Sequence, residues 1–230
     1  MQKRFFSTEF FIILLFFALP PIIFAGENPA GQTLHFSWTT FALAALAAAL
    51  YWQMKIQQAD GKAEKKGMRR LRGFLQQGQT LLTFGGLLVW AGLLELAARF
   101  ILQKEEGVII MPPRCLPDWI TFFFGILCAA FYEEVLYRVY LPETACKIFA
   151  AQKNSPAHDE SRQKKIAGIC EAASIVLFAL AHSHAGPLAV TNALGAGILL
   201  RRCYKKTSVL WTNLSAHLAY NLVMAAVSLA

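Results

Sequence analysis

Residues 117–141 read PDWITFFFGILCAAFYEEVLYRVYL. The stretch is long and apolar enough to form a helix across a bilayer, because about 20 apolar residues span the hydrocarbon layer. It nevertheless carries Glu133, Glu134 and Arg138. A charged side chain near the bilayer centre costs at least about 2.5–3.5 kcal/mol, so an ionisable group there is by default a functional hypothesis. The stretch therefore predicts a transmembrane helix that contributes to a polar site.

Apolar segments of similar character lie on both sides of this stretch. They run near 5–25, 34–54, 77–102, 168–184, 187–201 and 207–229. Residues 183–187 are too few for an external loop, so a tight turn is predicted there. Together the segments predict an all-α fold, a polytopic transmembrane helical bundle of about seven spans that encloses a polar intramembrane cavity.

The composition is typical of a chain that lies mostly in the hydrocarbon layer of a membrane. Hydrophobic residues make up 56% of the 230 residues and charged residues only 16%, and the mean hydropathy is +0.44. Soluble domains carry about 25% charged residues. The net charge of +8 is typical of some nucleic-acid-binding proteins. Here the basic residues lie in the gaps between apolar segments, so we interpret them as topology signals and predict no nucleic-acid partner.

The positions of the basic residues predict an orientation. Most of the 22 Lys and Arg residues fall in four gaps that share one side of the bilayer if all seven segments cross it. The gaps are 3–4, 55–72, 146–165 and 201–206. The positive-inside rule then places the N-terminus in the cytoplasm and the C-terminus outside, and the short loops favour a prokaryotic inner membrane. A cleaved signal peptide over residues 1–25 is an open alternative for the first span.

The two adjacent glutamates of the 117–141 span face different directions on a helix. Glu134 and Arg138 are four residues apart, so they lie on one side of the helix and can pair. Glu133 points about 100° away and can reach a neighbouring space. A structural ion pair explains Glu134 and Arg138 but leaves the second carboxylate unexplained. This asymmetry favours a functional interpretation of Glu133.

Two later spans add imidazole and amide groups. The 168–184 span ends with Phe178 and, four residues later, His182. The 207–229 span carries His217 and Asn221, again four residues apart and therefore on one helical face. Counted along the helices from the basic gaps, these groups and the glutamates lie at comparable depth. We therefore expect them to meet in one pocket.

Such a set of groups suits hydrolysis of an amide bond. A carboxylate in a low-dielectric pocket can act as the general base on a bound water, and a nearby His can share that water and later protonate the leaving amine. A second His and an Asn carboxamide can donate to the developing oxyanion. Arg138 would keep Glu134 ionised and oriented. No serine or cysteine occupies a position that suggests a nucleophile.

The sequence leaves open whether the site binds a metal ion. Glu133, His182 and His217 include ligand types that zinc or another divalent ion accepts. However, no HExxH-type pair places two ligands on one helix, and the amide of Asn221 is a poor zinc ligand. We therefore predict no cofactor, with a divalent metal as the alternative.

The three polar elements resemble the motifs of a known family. They are Glu-Glu-x-x-x-Arg at 133–138, Phe-x-x-x-His at 178–182 and His-x-x-x-Asn at 217–221, in this order on successive spans. The trio resembles the CAAX-protease and bacteriocin-processing (CPBP, Abi) family, which includes the type II CAAX prenyl endopeptidase. The resemblance covers about 117–229. It favours a division into three N-terminal spans over 1–110 and a catalytic core of four spans over 111–230.

The resemblance implies a glutamate-dependent intramembrane peptidase with a hydrophilic cavity inside a helical bundle. By matching position, Glu133 would activate water together with His182, and His217 and Asn221 would form the oxyanion site. The second glutamate and the arginine of the first motif would support them. Expected partners are the lipid bilayer and a membrane-bound or lipidated protein or peptide precursor. The alternatives are a non-catalytic binding or immunity protein of the family and a proton-coupled transporter.

Overall fold

The computed structural model of the protein describes residues 2–23, 38–59, 69–102, 113–151 and 160–229. Every regular element within these ranges is helical, which confirms the all-α prediction for this part of the chain. The α-helices are α1 (Gln2–Ile13), α2 (Pro20–Ile23), α3 (Trp38–Ala59), α4 (Arg69–Ala97), α5 (Leu116–Glu133), α6 (Leu141–Ala151), α7 (Glu160–Leu180), α8 (Pro187–Thr207) and α9 (Leu210–Leu229). Three π-helical segments, Leu14–Ala18, Ala98–Leu102 and Glu134–Tyr140, and one 3-10 turn, Ser183–Ala185, complete the set.

Two helical runs have the length and composition needed to cross a membrane. They are Gln76–Phe100 and Leu116–Ala150, with mean hydropathies of 1.8 and 1.5 in their most apolar windows. Only 17% and 33% of those windows is buried inside the protein, so most residues of each window are exposed or half-buried. Helices also occupy the described parts of the other five predicted spans, and Ser7–Ile23 is a shorter apolar run. That these five cross the bilayer stays a prediction.

The helices pack around two apolar clusters. The larger cluster joins α1, α3 and α7 to the run from α5 through the Glu134–Tyr140 segment to α6. The smaller one joins α4 to α8 and α9 through buried residues such as Leu87, Leu200 and Tyr220. The central run is thus enclosed by helices from both halves of the sequence, which positions its polar side chains inside the bundle.

Helix α1 and the π-helical segment Leu14–Ala18 that follows it contact the central run through polar as well as apolar groups. The Tyr132 hydroxyl donates to the carbonyl oxygen of Phe17 at 2.9 Å, and the Tyr140 hydroxyl donates to Glu9 Oε1 at 3.3 Å. Phe10 is buried in the same cluster. Cleavage after residue 25, the signal-peptide alternative, would remove all of these contacts.

The central run differs from the predicted span in length and in helix type. The sequence predicts one α-helix over 117–141, whereas the helical run continues to Ala151 and contains the seven-residue π-helical segment Glu134–Tyr140. All seven residues of this segment are buried. A π-helix is wider than an α-helix because each N–H bonds five residues back, and short π segments often occur at functional sites. The α-helical angle predicted between the two glutamates is therefore only approximate.

The predicted span over 168–184 ends earlier than expected. Helix α7 stops at Leu180, so His182 lies in a turn rather than on the helix. The 3-10 turn Ser183–Ala185 then leads to Gly186, whose φ of 92° suits glycine. Helix α8 begins directly afterwards, which confirms the tight turn predicted at 183–187.

Close contact between α4 and α8 depends on Gly195. A Cβ at Gly195 would overlap the indole ring of Trp90, which is held in place by a 3.2 Å hydrogen bond from its Nε1 to the carbonyl oxygen of Asn192. We expect Gly195→Ala to lower the free energy of unfolding by about 1–3 kcal/mol, the usual cost of overpacking. Gly92→Ala is the matched control, because a Cβ there meets nothing within 4 Å. Equal thermal midpoints of the two variants in detergent would contradict this account of the α4–α8 contact.

Candidate active site

Glu134 lies at the centre of a buried polar cluster. Its side chain has no exposed surface. Oε2 accepts a hydrogen bond from Asn213 Nδ2, and Oε1 lies 2.8 Å from His217 Nδ1, a geometry in which the ring N–H donates to the carboxylate. Arg138 Nε lies 3.6 Å from the same Oε1. Because Glu134 begins the π-helical segment while Asn213 and His217 are on α9, these contacts tie the two elements together.

His217 lies between the two carboxylates. While its Nδ1 faces Glu134, its Nε2 lies 3.7 Å from Oε2 of Glu133. The side chain of Glu133 is 23% exposed, whereas that of Glu134 is fully buried. One carboxylate is thus enclosed by protein donors, and the other remains accessible beside the same imidazole.

Arg138 is buried against an aromatic ring. Its guanidinium carbon lies 3.7 Å from the ring centroid of Phe178, a distance at which the cation is attracted to the ring face. Among the described residues, none of its side-chain nitrogens makes a hydrogen bond. The charge of Arg138 is therefore compensated by Glu134 and by the Phe178 ring.

Phe178 connects α7 to the cluster. Its ring centroid lies 4.7 Å from that of His182 and 6.5 Å from that of His217. The Tyr137 ring packs against it at 5.4 Å. The ring of Phe178 therefore lies near both histidines, His182 in the turn after α7 and His217 on α9.

The remaining two predicted residues lie at the margin of the cluster. His182 is half-buried, and its Nδ1 lies 2.9 Å from the carbonyl oxygen of Phe178. Asn221 is half-buried on α9, and no hydrogen bond among the described residues joins it to His217 or to either glutamate. The structure thus brings together Glu133, Glu134, Arg138 and His217. His182 is joined to these residues only through the ring of Phe178, and Asn221 lies outside the hydrogen-bonded group.

Two residues of the cluster are not among the predicted site residues. Asn213 is fully buried and donates to Glu134, and Phe178 contacts both histidines and the arginine. The signal for Asn213 is its position four residues before His217, on the same face of α9. Phe178 belongs to the Phe-x-x-x-His motif, in which an aromatic residue is more readily interpreted as core than as part of a site.

The described side chains do not form a metal site of the usual kind. A zinc site takes at least three protein ligands, and among the described residues no group of three or more His, Cys, Asp and Glu side chains comes together in that way. Glu133 and His217 approach one another, but His217 Nδ1 is engaged by Glu134. These residues therefore fit a network of hydrogen bonds better than a ligand set.

An apolar groove lies between α5 and α9. It encloses about 310 Å³ and is lined on α5 by Trp119, Phe122 and Phe123, and on α9 by residues that include Leu222. Leu222 follows Asn221 directly in the chain. The groove has the chemistry of a site for an apolar chain. The polar intramembrane cavity expected around the cluster stays a prediction.

Comparison with known proteins identifies the region that holds this cluster. A family model described as Type II CAAX prenyl endopeptidase Rce1-like matches residues 115–223. No curated protein and no solved structure matches the chain. The matched region contains all six predicted site residues, and the match confirms the resemblance carried by the three motifs. The family is a membrane-embedded protease family. Residues 115–223, just under half of the chain, are therefore similar to the Type II CAAX prenyl endopeptidase Rce1-like family.

Proposed function

We propose that this protein is an intramembrane endopeptidase that hydrolyses a peptide bond with a water molecule activated by Glu133. The proposal rests on one observation: the two adjacent carboxylates differ in how exposed they are and in how many neighbouring groups engage them. A general base must reach the proton that it abstracts. Glu133 is 23% exposed beside His217, whereas Glu134 is fully buried and both of its oxygens are engaged by Asn213, His217 and Arg138.

The proposed reaction distributes the protons as follows. Water adds to the carbonyl carbon of the substrate while Glu133 accepts its proton, which gives a tetrahedral intermediate. In its doubly protonated form, His217 donates Nδ1–H to Glu134 and directs Nε2–H toward the side on which Glu133 lies, where it stabilises the oxyanion together with Asn221. As the C–N bond breaks, the proton held by Glu133 passes through His182 to the leaving amine, and Glu133 returns to its ionised form. Glu134 and Arg138 hold His217 in this orientation.

The proposed setting is the prokaryotic inner membrane, with seven spans, a cytoplasmic N-terminus and an external C-terminus. The three spans within 1–110 support a catalytic core over 111–230. Two observations favour a membrane-bound or lipidated substrate. The outward faces of Gln76–Phe100 and Leu116–Ala150 are apolar, and the α5–α9 groove, which Leu222 lines, offers an apolar chain a place. A lipid chain in the groove would hold the adjoining peptide against the helices α5 and α9, which also carry Glu133 and His217.

The test uses the full chain reconstituted in lipid vesicles. Two synthetic peptides of one sequence are supplied, one with a lipid chain and one without. We expect mass spectrometry to show cleavage of the lipidated peptide at one bond and slower cleavage of the free peptide, because only the lipidated form is concentrated in the bilayer. Binding of the lipidated peptide without any cleavage would favour the non-catalytic alternative and contradict the proposal. Proton flux across the vesicle wall without cleavage would instead favour the transporter.

Removal of divalent metal ions provides a separate prediction. We expect a strong chelator to leave the cleavage rate unchanged, because the described acidic and imidazole groups do not converge as three ligands. The measurement compares the rates before chelation, after chelation and after zinc is added back. Loss of activity on chelation and its recovery with zinc would contradict the metal-free mechanism but not the peptidase function.

A further inference from the structure

Two backbone carbonyls of the Glu134–Tyr140 segment accept hydrogen bonds from side chains of other helices. Ser174 Oγ, on α7, donates to the carbonyl oxygen of Tyr137 at 2.6 Å. Arg201 Nη1, on α8, donates to the carbonyl oxygen of Arg138. A π-helix exchanges the usual α-helical bonds for longer ones, and such segments persist where the surroundings hold them. Donors from α7 and α8 therefore fix the part of the central run whose backbone departs from the α-helix.

Arg201 makes this contact from a buried position. Only 9% of the residue is exposed. Its Nη2 lies 3.1 Å from Glu171 Oε1 on α7, and the second oxygen of Glu171 accepts a hydrogen bond from Lys205 Nζ at 2.9 Å. A guanidinium presents donors in two directions from one planar group, which a lysine ammonium on a flexible stem does not reproduce. Arg201 thus joins α7 and α8 to the π-helical segment through one side chain.

The backbone group that Arg201 holds belongs to a residue of the polar cluster. The carbonyl is that of Arg138, whose guanidinium packs on Phe178 and lies 3.6 Å from Glu134. A shift of the backbone at Arg138 would move its side chain relative to Glu134. It would also move the turn that presents Glu133. Geometry this close to the reacting groups is costly to disturb, since misplacement of a catalytic group by about 1 Å can slow a reaction by about 100-fold.

We propose that Arg201 is a positioning residue, which holds the π-helical segment through the Arg138 carbonyl and thereby sets the relative placement of the two glutamates. The inference rests on the proposed endopeptidase function. It goes beyond the three motifs, because Arg201 lies outside all of them. It also gives the ion pair between Arg201 and Glu171 a role, since that pair anchors the far side of the guanidinium.

The test compares Arg201→Met with Arg202→Met in the full chain. Both changes remove one positive charge at the same end of α8, but Arg202 is exposed. We expect Arg201→Met to lower kcat by about 10- to 100-fold, with KM nearly unchanged, because the substrate still binds while the glutamates are misplaced. We expect Arg202→Met to keep the kcat and KM of the unaltered protein. Hydrogen exchange followed by mass spectrometry should show faster amide exchange over Glu134–Tyr140 in Arg201→Met alone.

Further comparisons show whether Arg201 positions the glutamates or only stabilises the fold. If Arg201→Met does not fold, Arg201→Lys replaces it, and the expected result is a folded protein with reduced kcat and an intermediate exchange rate. Equal kcat per folded molecule in the Arg201 and Arg202 variants would overturn the proposal, even if the Arg201 variant melts earlier. If the unaltered protein cleaves no peptide, the endopeptidase proposal fails by itself. The exchange rates over Glu134–Tyr140 then still decide whether Arg201 holds the segment, and equal rates in both variants would overturn that as well.

Discussion

Glu133→Gln is expected to abolish peptide cleavage while the protein stays folded. The substitution keeps the size and hydrogen-bonding capacity of the side chain but removes the basic oxygen. General-base catalysis contributes about 10²–10⁴-fold to a rate, so kcat should fall by that factor. The fold should tolerate the change, because the Glu133 side chain is 23% exposed and its ion-pair contact, with His217, spans 3.7 Å. The measurements are kcat on the lipidated peptide and the thermal midpoint in detergent.

The control for this variant is Glu95→Gln. Glu95 also occupies an apolar helical run, but it forms an exposed pair with Arg99 at 2.8 Å, far along the chain from the cluster. We expect Glu95→Gln to leave both kcat and the midpoint unchanged. A Glu133→Gln protein that melts as early as a core variant would show that Glu133 is structural. In that case its loss of activity would carry no mechanistic meaning.

Glu134→Gln is expected to have the opposite profile, with a large loss of stability. The variant leaves the buried guanidinium of Arg138 without its carboxylate partner and presents an amide to the donors of Asn213 and His217. Removal of one partner of a buried ion pair costs about 3–5 kcal/mol. The exposed Glu95–Arg99 pair has the same spacing of four residues, and its disruption should cost about 1 kcal/mol or less. The midpoints of Glu134→Gln and Glu95→Gln should therefore differ clearly.

A double variant tests whether Glu134 and Arg138 act as a pair. Arg138→Met alone removes the cation but leaves the carboxylate with its donors from Asn213 and His217, so it should cost less than Glu134→Gln. The double variant Glu134→Gln/Arg138→Met should be more stable than the sum of the two changes predicts, by about 0.5–3 kcal/mol. Additive losses would mean that Arg138 is compensated by Phe178 and not by Glu134.

The sequence predicted well those features that depend on composition and local spacing. Apolar runs and their basic gaps locate helices, because hydrocarbon burial and backbone hydrogen bonding leave few alternatives for such segments. The spacing of four residues correctly pairs Glu134 with Arg138. The order of three short motifs was enough to indicate the family whose model matches residues 115–223.

Features that depend on contacts between distant segments were not predicted. The π-helical segment has no signature in EVLYRVY alone, since the donors that hold its carbonyls come from Ser174 and Arg201. Asn213 was missed for a similar reason. An amide on an apolar helix has many possible partners, and only the fold shows that Glu134 is the one it contacts. His182 was placed on a helix because the predicted span extended to residue 184, whereas α7 ends at Leu180 and the chain turns there.

The oxygen that enters the product tests the central claim most directly. The full chain in vesicles is incubated with the lipidated peptide in water enriched in oxygen-18. Mass spectrometry then measures the mass of the product fragment that ends in the new carboxyl group. We predict that the unaltered protein releases a product with one labelled oxygen, and that folded Glu133→Gln releases almost none. Release of labelled product by folded Glu133→Gln at the unaltered rate would contradict the claim that this carboxylate activates the attacking water.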